Sequence, residues 1–393
     1  MNNFTYFDHA ATTSVDPKVF EAMKFYFSEK YGNASSIHSF GQEANRAVDN
    51  ARETVSKYLG CDSEEIIFTS GATESNNLCL KGIVEKSEIE KPHIIISKIE
   101  HHCVLETVEY LEKKGKIEAT YLNVDKEGIV NTKDVQSSLK ENTILVSIMY
   151  ANNEVGTIQP IKKIGKLLEK INESRKNKIY FHTDAVQAIG YLDCNVQSLG
   201  VDLLSLSAHK FYGPKGIGVL FVRKETKIAP LHHGGAHEFG LRSGTLNVPL
   251  IVGLGVAIEL LQTKEYKNNL KNISSLRDKL ITEILRKIPQ TTLNGSRENR
   301  VPGNANFRFK NIEGESILLG LDFEGIYTST GSACASGSLK PSHVLLALGI
   351  PQEEAHGSLR ITLGKDNTKE DINKILKVLP KIVKNLRKIS PLK

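Results

Sequence analysis

Cysteine is scarce in this chain of 393 residues: five thiols, Cys61, Cys79, Cys103, Cys194 and Cys334, with an odd total and no C-x-x-C pair. That excludes a disulfide framework and a zinc ribbon, and it suits a reducing compartment. No apolar run reaches the ~18 residues of a membrane span. The first residues, Met1-Asn2-Asn3-Phe4-Thr5-Tyr6, lack the basic start and apolar stretch of a secretory signal. The expected location is the cytoplasm. The 51 basic and 45 acidic residues are interspersed without a long basic run, so direct nucleic-acid binding is not expected. The lysines at 374, 377, 381, 384 and 388 interleave with apolar residues, as a solvated helix face does. Repeats and low-complexity tracts are absent. What remains is an ordinary globular composition, 40% hydrophobic and 24% charged, in a chain long enough for two domains.

Short β-branched runs recur, each followed by small or polar residues and then a helical pattern: 65–69, 94–97, 143–148 and 178–182. Strands alternating with helices predict a mainly parallel α/β sheet, and ligands bind such sheets beyond the carboxyl ends of the strands. Those ends carry Thr73, His101, Asn153, Asp184 and Lys210. Pro249 begins a long helical pattern, interrupted or continuous, that reaches Ile288. A second α+β region follows from about Thr291, closed by a helix for which Thr368 and Asp371 form a capping box.

Lys210 follows the apolar run 201–207 and precedes the glycine-rich stretch 213–218. A lysine held there is either a surface loop residue or an amine desolvated and aimed at a carbonyl, as in a Schiff base. Asp184 reads either as a helix N-cap or as the anion that keeps a pyridinium nitrogen protonated, which pyridoxal phosphate requires. Gly71-Ala72-Thr73 lies at a strand-to-helix turn whose amides favour a phosphate, and Ser207 and His209 add donors beside the lysine. His101 can stack on a cofactor ring or shuttle a proton. The pair His101-His102 lacks the carboxylate or cysteine spacing of a metal site, so no metal is expected. Arg360 is a surface ion-pair partner or a fork for a substrate carboxylate. Cys334 lies in Thr328-Ser329-Thr330-Gly331-Ser332-Ala333-Cys334-Ala335-Ser336-Gly337-Ser338, where nothing large would bury it. The other four cysteines read as small buried hydrophobes.

Taken together, several motifs resemble the cysteine desulfurases of the NifS/IscS type. They are Tyr6-Phe7-Asp8-His9-Ala10-Ala11-Thr12-Thr13, Gly32-Asn33-Ala34-Ser35-Ser36-Ile37-His38, Phe68-Thr69-Ser70-Gly71-Ala72-Thr73-Glu74-Ser75-Asn76-Asn77, Asn152-Asn153-Glu154-Val155-Gly156-Thr157, His182-Thr183-Asp184-Ala185-Val186-Gln187, Ser207-Ala208-His209-Lys210, Arg242-Ser243-Gly244-Thr245 and Gly331-Ser332-Ala333-Cys334. They occur in order along nearly the whole chain. The resemblance implies a homodimeric pyridoxal-phosphate enzyme of fold type I that takes L-cysteine to L-alanine and a protein-bound persulfide. It implies a large domain over 14–255 with a mainly parallel seven-stranded sheet, and a smaller α+β domain from 1–13 and 256–393 carrying the catalytic cysteine. By motif, Lys210 holds the cofactor as a Schiff base, Asp184 pairs with the ring nitrogen and His101 stacks on the ring. Asn153 and Gln187 contact the ring hydroxyl side, and Ala72, Thr73, Ser207 and His209 hold the phosphate, joined by Thr245 of the other subunit. Arg360, with Asn153, binds the substrate, and Cys334 attacks its sulfur. The sulfur acceptor would be an iron–sulfur scaffold protein, with tRNA thiolation a further outlet.

Three residues depart from the family pattern: His9 in place of asparagine, Phe239 in place of arginine and Lys340 in place of glutamate. A selenocysteine lyase or another fold type I enzyme would share Lys210 and Asp184 without needing Cys334. A basic scaffold for RNA would have no chromophore and would bind with strong salt dependence.

Overall fold

The computed structural model describes residues 4–330 and 341–391. Its central element is a seven-stranded sheet. In order across it run Ile66–Thr69, Gly218–Val222, Leu203–Ser207, Tyr180–Asp184, Thr143–Ser147, His93–Ser97 and Glu118–Leu122. Every pairing is parallel except those of Gly218–Val222, which runs against both neighbours. The strands are near-continuous apolar runs because both faces are covered. Alternation divides most of them: Phe68, Ile95, Val146, Phe181, Leu204 and Val219 enter one core, and Ile67, Ile94, Leu145, Leu203 and Leu220 enter the other. Helices Ser39–Leu59 and Val248–Leu261 contribute to the first core, Ala72–Lys86 and His102–Lys113 to the second.

The long helical pattern after Pro249 is two helices. Val248–Leu261 ends at Gln262, and Thr263 caps Lys264–Lys287 by accepting from the Tyr266 amide. The second helix joins a separate core with Phe307, Leu359, Ile372 and Leu379, built on an antiparallel sheet of Ser358–Thr362, Asn304–Phe309 and Thr291–Leu293. The closing helix Lys369–Ile389 carries the capping box between Thr368 and Asp371. Near the other end of the chain, Thr5–Tyr6 pairs in parallel with Ile326–Tyr327, and Phe7 is buried in this second core.

The expected strand over 178–182 runs instead from Tyr180 to Asp184, so Asp184 closes a strand and caps no helix. Glu65 belongs to a short turn, Ser63–Glu65, that precedes its strand.

Candidate active site

The carboxyl ends of the parallel strands open onto a cavity of about 590 Å³. Ala72, Thr73, His101, Asn153, Asp184, Gln187, Ser207, His209, Lys210 and Arg360 all line it. Thr245 does not. It is exposed in a separate groove with Tyr31 and Asn33. Cys334 and Lys340 lie outside the described residues.

Asp184 is 5% exposed, and both its oxygens are engaged: Oδ2 accepts from Asn76 Nδ2 at 2.7 Å and Oδ1 from the Val186 amide at 3.0 Å. Lys210 follows the buried strand Leu203–Ser207, and its Nζ donates to the carbonyls of Ala10 and Ala11, each at 2.7 Å. Gln187 Nε2 donates to the same Ala10 carbonyl at 2.9 Å. His209 Nδ1 lies 3.1 Å from Thr12 Oγ1, and burial first, then the Lys210 and Lys215 charges, lower its pKa to about 4. His101 caps the helix His102–Lys113, with Nδ1 accepting from the Cys103 amide at 3.2 Å. Burial is the main cause that lowers the His101 pKa, so the ring is neutral near pH 7.

This donor set fits pyridoxal phosphate. No side chain caps the helix Ala72–Lys86, which leaves its first amides for an anion. Gly71 precedes it at φ +151°, where a side chain would be strained, and a Cβ there would stand 3.7 Å from Ser207 Oγ, between the turn and that hydroxyl. A buried carboxylate, a lysine amine and an imidazole complete the requirements of the ring. Among the described residues, no three His, Cys, Asp or Glu side chains come together as a metal site.

The chain matches the aminotransferase class-V family over residues 5–375. It belongs to that family. Members use pyridoxal phosphate and share fold type I. The chain is similar to a protein named cysteine desulfurase IscS from Dictyoglomus turgidum, 53% identical over all of this chain and 98% of that one. Among solved structures it is similar to a NifS-like protein (42% identical, TM-score 0.90, covering 98% of this chain and 100% of that one). It is also similar to SspA in complex with cysteine (38% identical, TM-score 0.81, covering 93% of this chain and 100% of that one).

Several site residues carry no role in the sequence reading. Asp8, Asn76 and the Ala10 and Ala11 carbonyls all bond to groups of the site. Cys103 corrects an expectation. Read as a buried hydrophobe, it lines the cavity and its Sγ lies within 3.0 Å of His101 Nδ1 and 3.1 Å of Asn76 Nδ2. Cys79 and Cys194 are the buried ones, and Cys61 is half-buried.

Proposed function

We infer that the protein is a pyridoxal-phosphate-dependent cysteine desulfurase, taking L-cysteine to L-alanine and passing the sulfur through a persulfide on Cys334 to iron–sulfur cluster assembly. The supporting observation is where the described residues flanking Cys334 in sequence attach. On one side Ser329 exchanges backbone hydrogen bonds with Arg360, at 3.1 and 2.6 Å. On the other, His343 Nε2 lies 3.0 Å from the carbonyl of Glu100, the neighbour of His101. The described residues on either side of Cys334 in sequence thus bond to Arg360, which lines the cavity of Lys210 and Asp184, and to the neighbour of His101.

When bound, pyridoxal phosphate supplies an electron sink conjugated to the substrate amine. Lys210 would hold it through Nζ, Asp184 would keep its ring nitrogen protonated, and His101 would lie against its ring. Asn153 and Gln187 would face the ring hydroxyl. Ala72, Thr73, Ser207 and His209 would hold the phosphate, with Thr245 supplied by a second copy, which agrees with its exposure in a groove away from this cavity. Arg360 would orient the substrate carboxylate, with Asn153 beside it. In the net reaction the substrate C–S bond breaks and an S–S bond forms to Cys334. The substrate β-carbon is reduced to a methyl group as the two sulfurs reach the persulfide level, so no external oxidant is needed. One thiol proton ends on the methyl group.

Residues 14–255 would form the cofactor domain, and 1–13 with 256–393 the smaller one. The separate core shared by Phe7, Ile273, Phe307 and Leu379 supports two units, but Ala257, Ile258 and Leu261 pack in the first core, so the break falls after the helix Val248–Leu261. A cytoplasmic homodimer completes the reading. The test is to incubate purified protein with L-cysteine and a thiol reductant and to quantify alanine and sulfide. They should appear in equal amounts, and absence of alanine would remove the proposed activity.

A further inference from the structure

We propose that Cys103 is a positioning residue that fixes the tautomer and ring orientation of His101, at the end of a hydrogen-bond relay that begins at Asp184. The relay runs from Asp184 Oδ2 to Asn76 Nδ2 (2.7 Å), from the same Nδ2 to Cys103 Sγ (3.1 Å), and from Sγ to His101 Nδ1 (3.0 Å).

Its direction follows from what each group can offer. An ionised carboxylate only accepts, so Asn76 must turn its NH2 toward Asp184. The same nitrogen then has one further hydrogen, and it faces Sγ. With Sγ accepting there, the thiol proton is directed to His101 Nδ1. Among the described residues the buried Asn76 Oδ1 has no hydrogen-bond partner, as expected if the amide works through its nitrogen alone. Burial first, and then the Asp184 charge, push the thiol up to about 12, so Cys103 keeps the proton it donates. A second donor arrives independently from the Cys103 amide, 3.2 Å from Nδ1.

Two donors on Nδ1 require a lone pair there. The neutral ring therefore carries its proton on Nε2, and protonating Nδ1 would oppose both donors. His101 is thus set as a neutral Nε2–H donor. As long as it holds that tautomer, it is not the base that would take a proton from Cys334. The bearing of this on catalysis rests on the desulfurase reading of the site, but the hydrogen-bond relay itself does not.

The charged and titratable groups facing His101 are Asp184, Lys210, His102, Glu106 and His343, and all are retained in the variants below. The experiment is a pH titration of the holoenzyme labelled with 15N-histidine, with the His101 signals assigned by their loss in His101→Gln. Wild type and Cys103→Ser, which keeps a donor, should both show Nε2–H with Nδ1 unprotonated. Cys103→Ala should titrate about half to one pH unit higher, the shift from losing one hydrogen bond to the neutral ring. Cys103→Val fills the site without a donor and should behave as the alanine chain does, which covers a failure of that chain to fold. Titration of both donor-free variants at the wild-type value would overturn the proposal, as would a serine variant that behaves like alanine. Alanine production by the wild type is scored separately, so a failed desulfurase reading is distinguishable from a failed relay.

Discussion

Arg360 and Asp8 form an ion pair that joins the small antiparallel sheet to the start of the chain: Nη2 donates to Oδ1 across 2.9 Å. Nη1 donates to the Asn153 carbonyl at 3.0 Å, and the arginine is 3% exposed. The buried Nε has no partner among the described residues. The guanidinium is therefore held in place before any carboxylate arrives, with its Nε–H still to be satisfied.

Arg360→Lys replaces that planar fork with a point charge. KM for L-cysteine should rise roughly ten- to a hundredfold, the equivalent of losing one or two charged hydrogen bonds. Steady-state kinetics check this. An unchanged KM would take Arg360 out of substrate binding.

Lys210→Ala should abolish covalent attachment of the cofactor and the yellow colour that goes with it. Borohydride reduction of the wild type followed by peptide mapping should find the cofactor on Lys210. Labelling of any other lysine would refute the assignment.

Cys334→Ser should still bind pyridoxal phosphate, because no residue proposed to hold the cofactor lies in that segment. It should lose persulfide and alanine formation, since a hydroxyl is a far poorer nucleophile toward sulfur than a thiolate. In the wild type, mass spectrometry after L-cysteine should find one extra sulfur on the peptide containing Cys334. Wild-type alanine production by the serine chain would make Cys334 structural.

Arg52 and Glu238 form a buried two-point pair, with Nη2 to Oε1 at 2.6 Å and Nη1 to Oε2 at 3.0 Å. Glu238 also accepts from the Phe68 amide at 2.6 Å, and Phe239, one of the departures from the family pattern, lies with its ring 5.1 Å from the Arg52 guanidinium. Arg52→Met strands the buried carboxylate and should lower unfolding stability by about 3–5 kcal/mol. Adding Glu238→Gln should recover part of the loss. Urea denaturation measures both.

Stability should fall as pH drops from about 6.5 toward 4. Burial lowers the pKa of His182 to about 3 and of His9 to about 4. Across that window the unfolded chain binds protons at these rings and the folded chain does not. The stabilisation is thus complete above the unfolded value and is lost on acidification, by about 1.4 kcal/mol per pH unit for each ring. His182 sits between Ser147 Oγ at 2.8 Å and Ser205 Oγ at 3.0 Å. His182→Asn should remove one proton's share of the slope in unfolding measured from pH 7 to 4.

Strand ends were the legible part of this site. In a parallel sheet the residues just past each strand converge without any knowledge of pairing, which is why His101, Asn153, Asp184 and Lys210 could be read from local pattern. The capping box at Thr368 was legible for the same reason, being complete within four residues. Contacts between distant positions left no local trace. Asn76 is 27 residues from Cys103 and 108 from Asp184, and Arg52 is 186 from Glu238. The reversal of Gly218–Val222 was equally hidden, since a fully buried strand shows the same apolar run in either direction. His9 illustrates the gap well. Its departure from asparagine was visible, but not that a Cβ on Gly364 would come within 2.3 Å of its ring, so that the two positions constrain each other.

The Arg360–Asp8 pair spans 352 residues of sequence, and the Lys210 amine rests on carbonyls 199 and 200 residues away. At roughly 5–20 residues per second, a ribosome needs roughly 20–70 s to pass from one end of that pair to the other. A nascent chain halted between Lys210 and Arg360 thus has the lysine but lacks the arginine that lines the same cavity. Competence to react waits for the polypeptide to reach Arg360, and a product truncated within that span carries the amine without the guanidinium that shares its cavity.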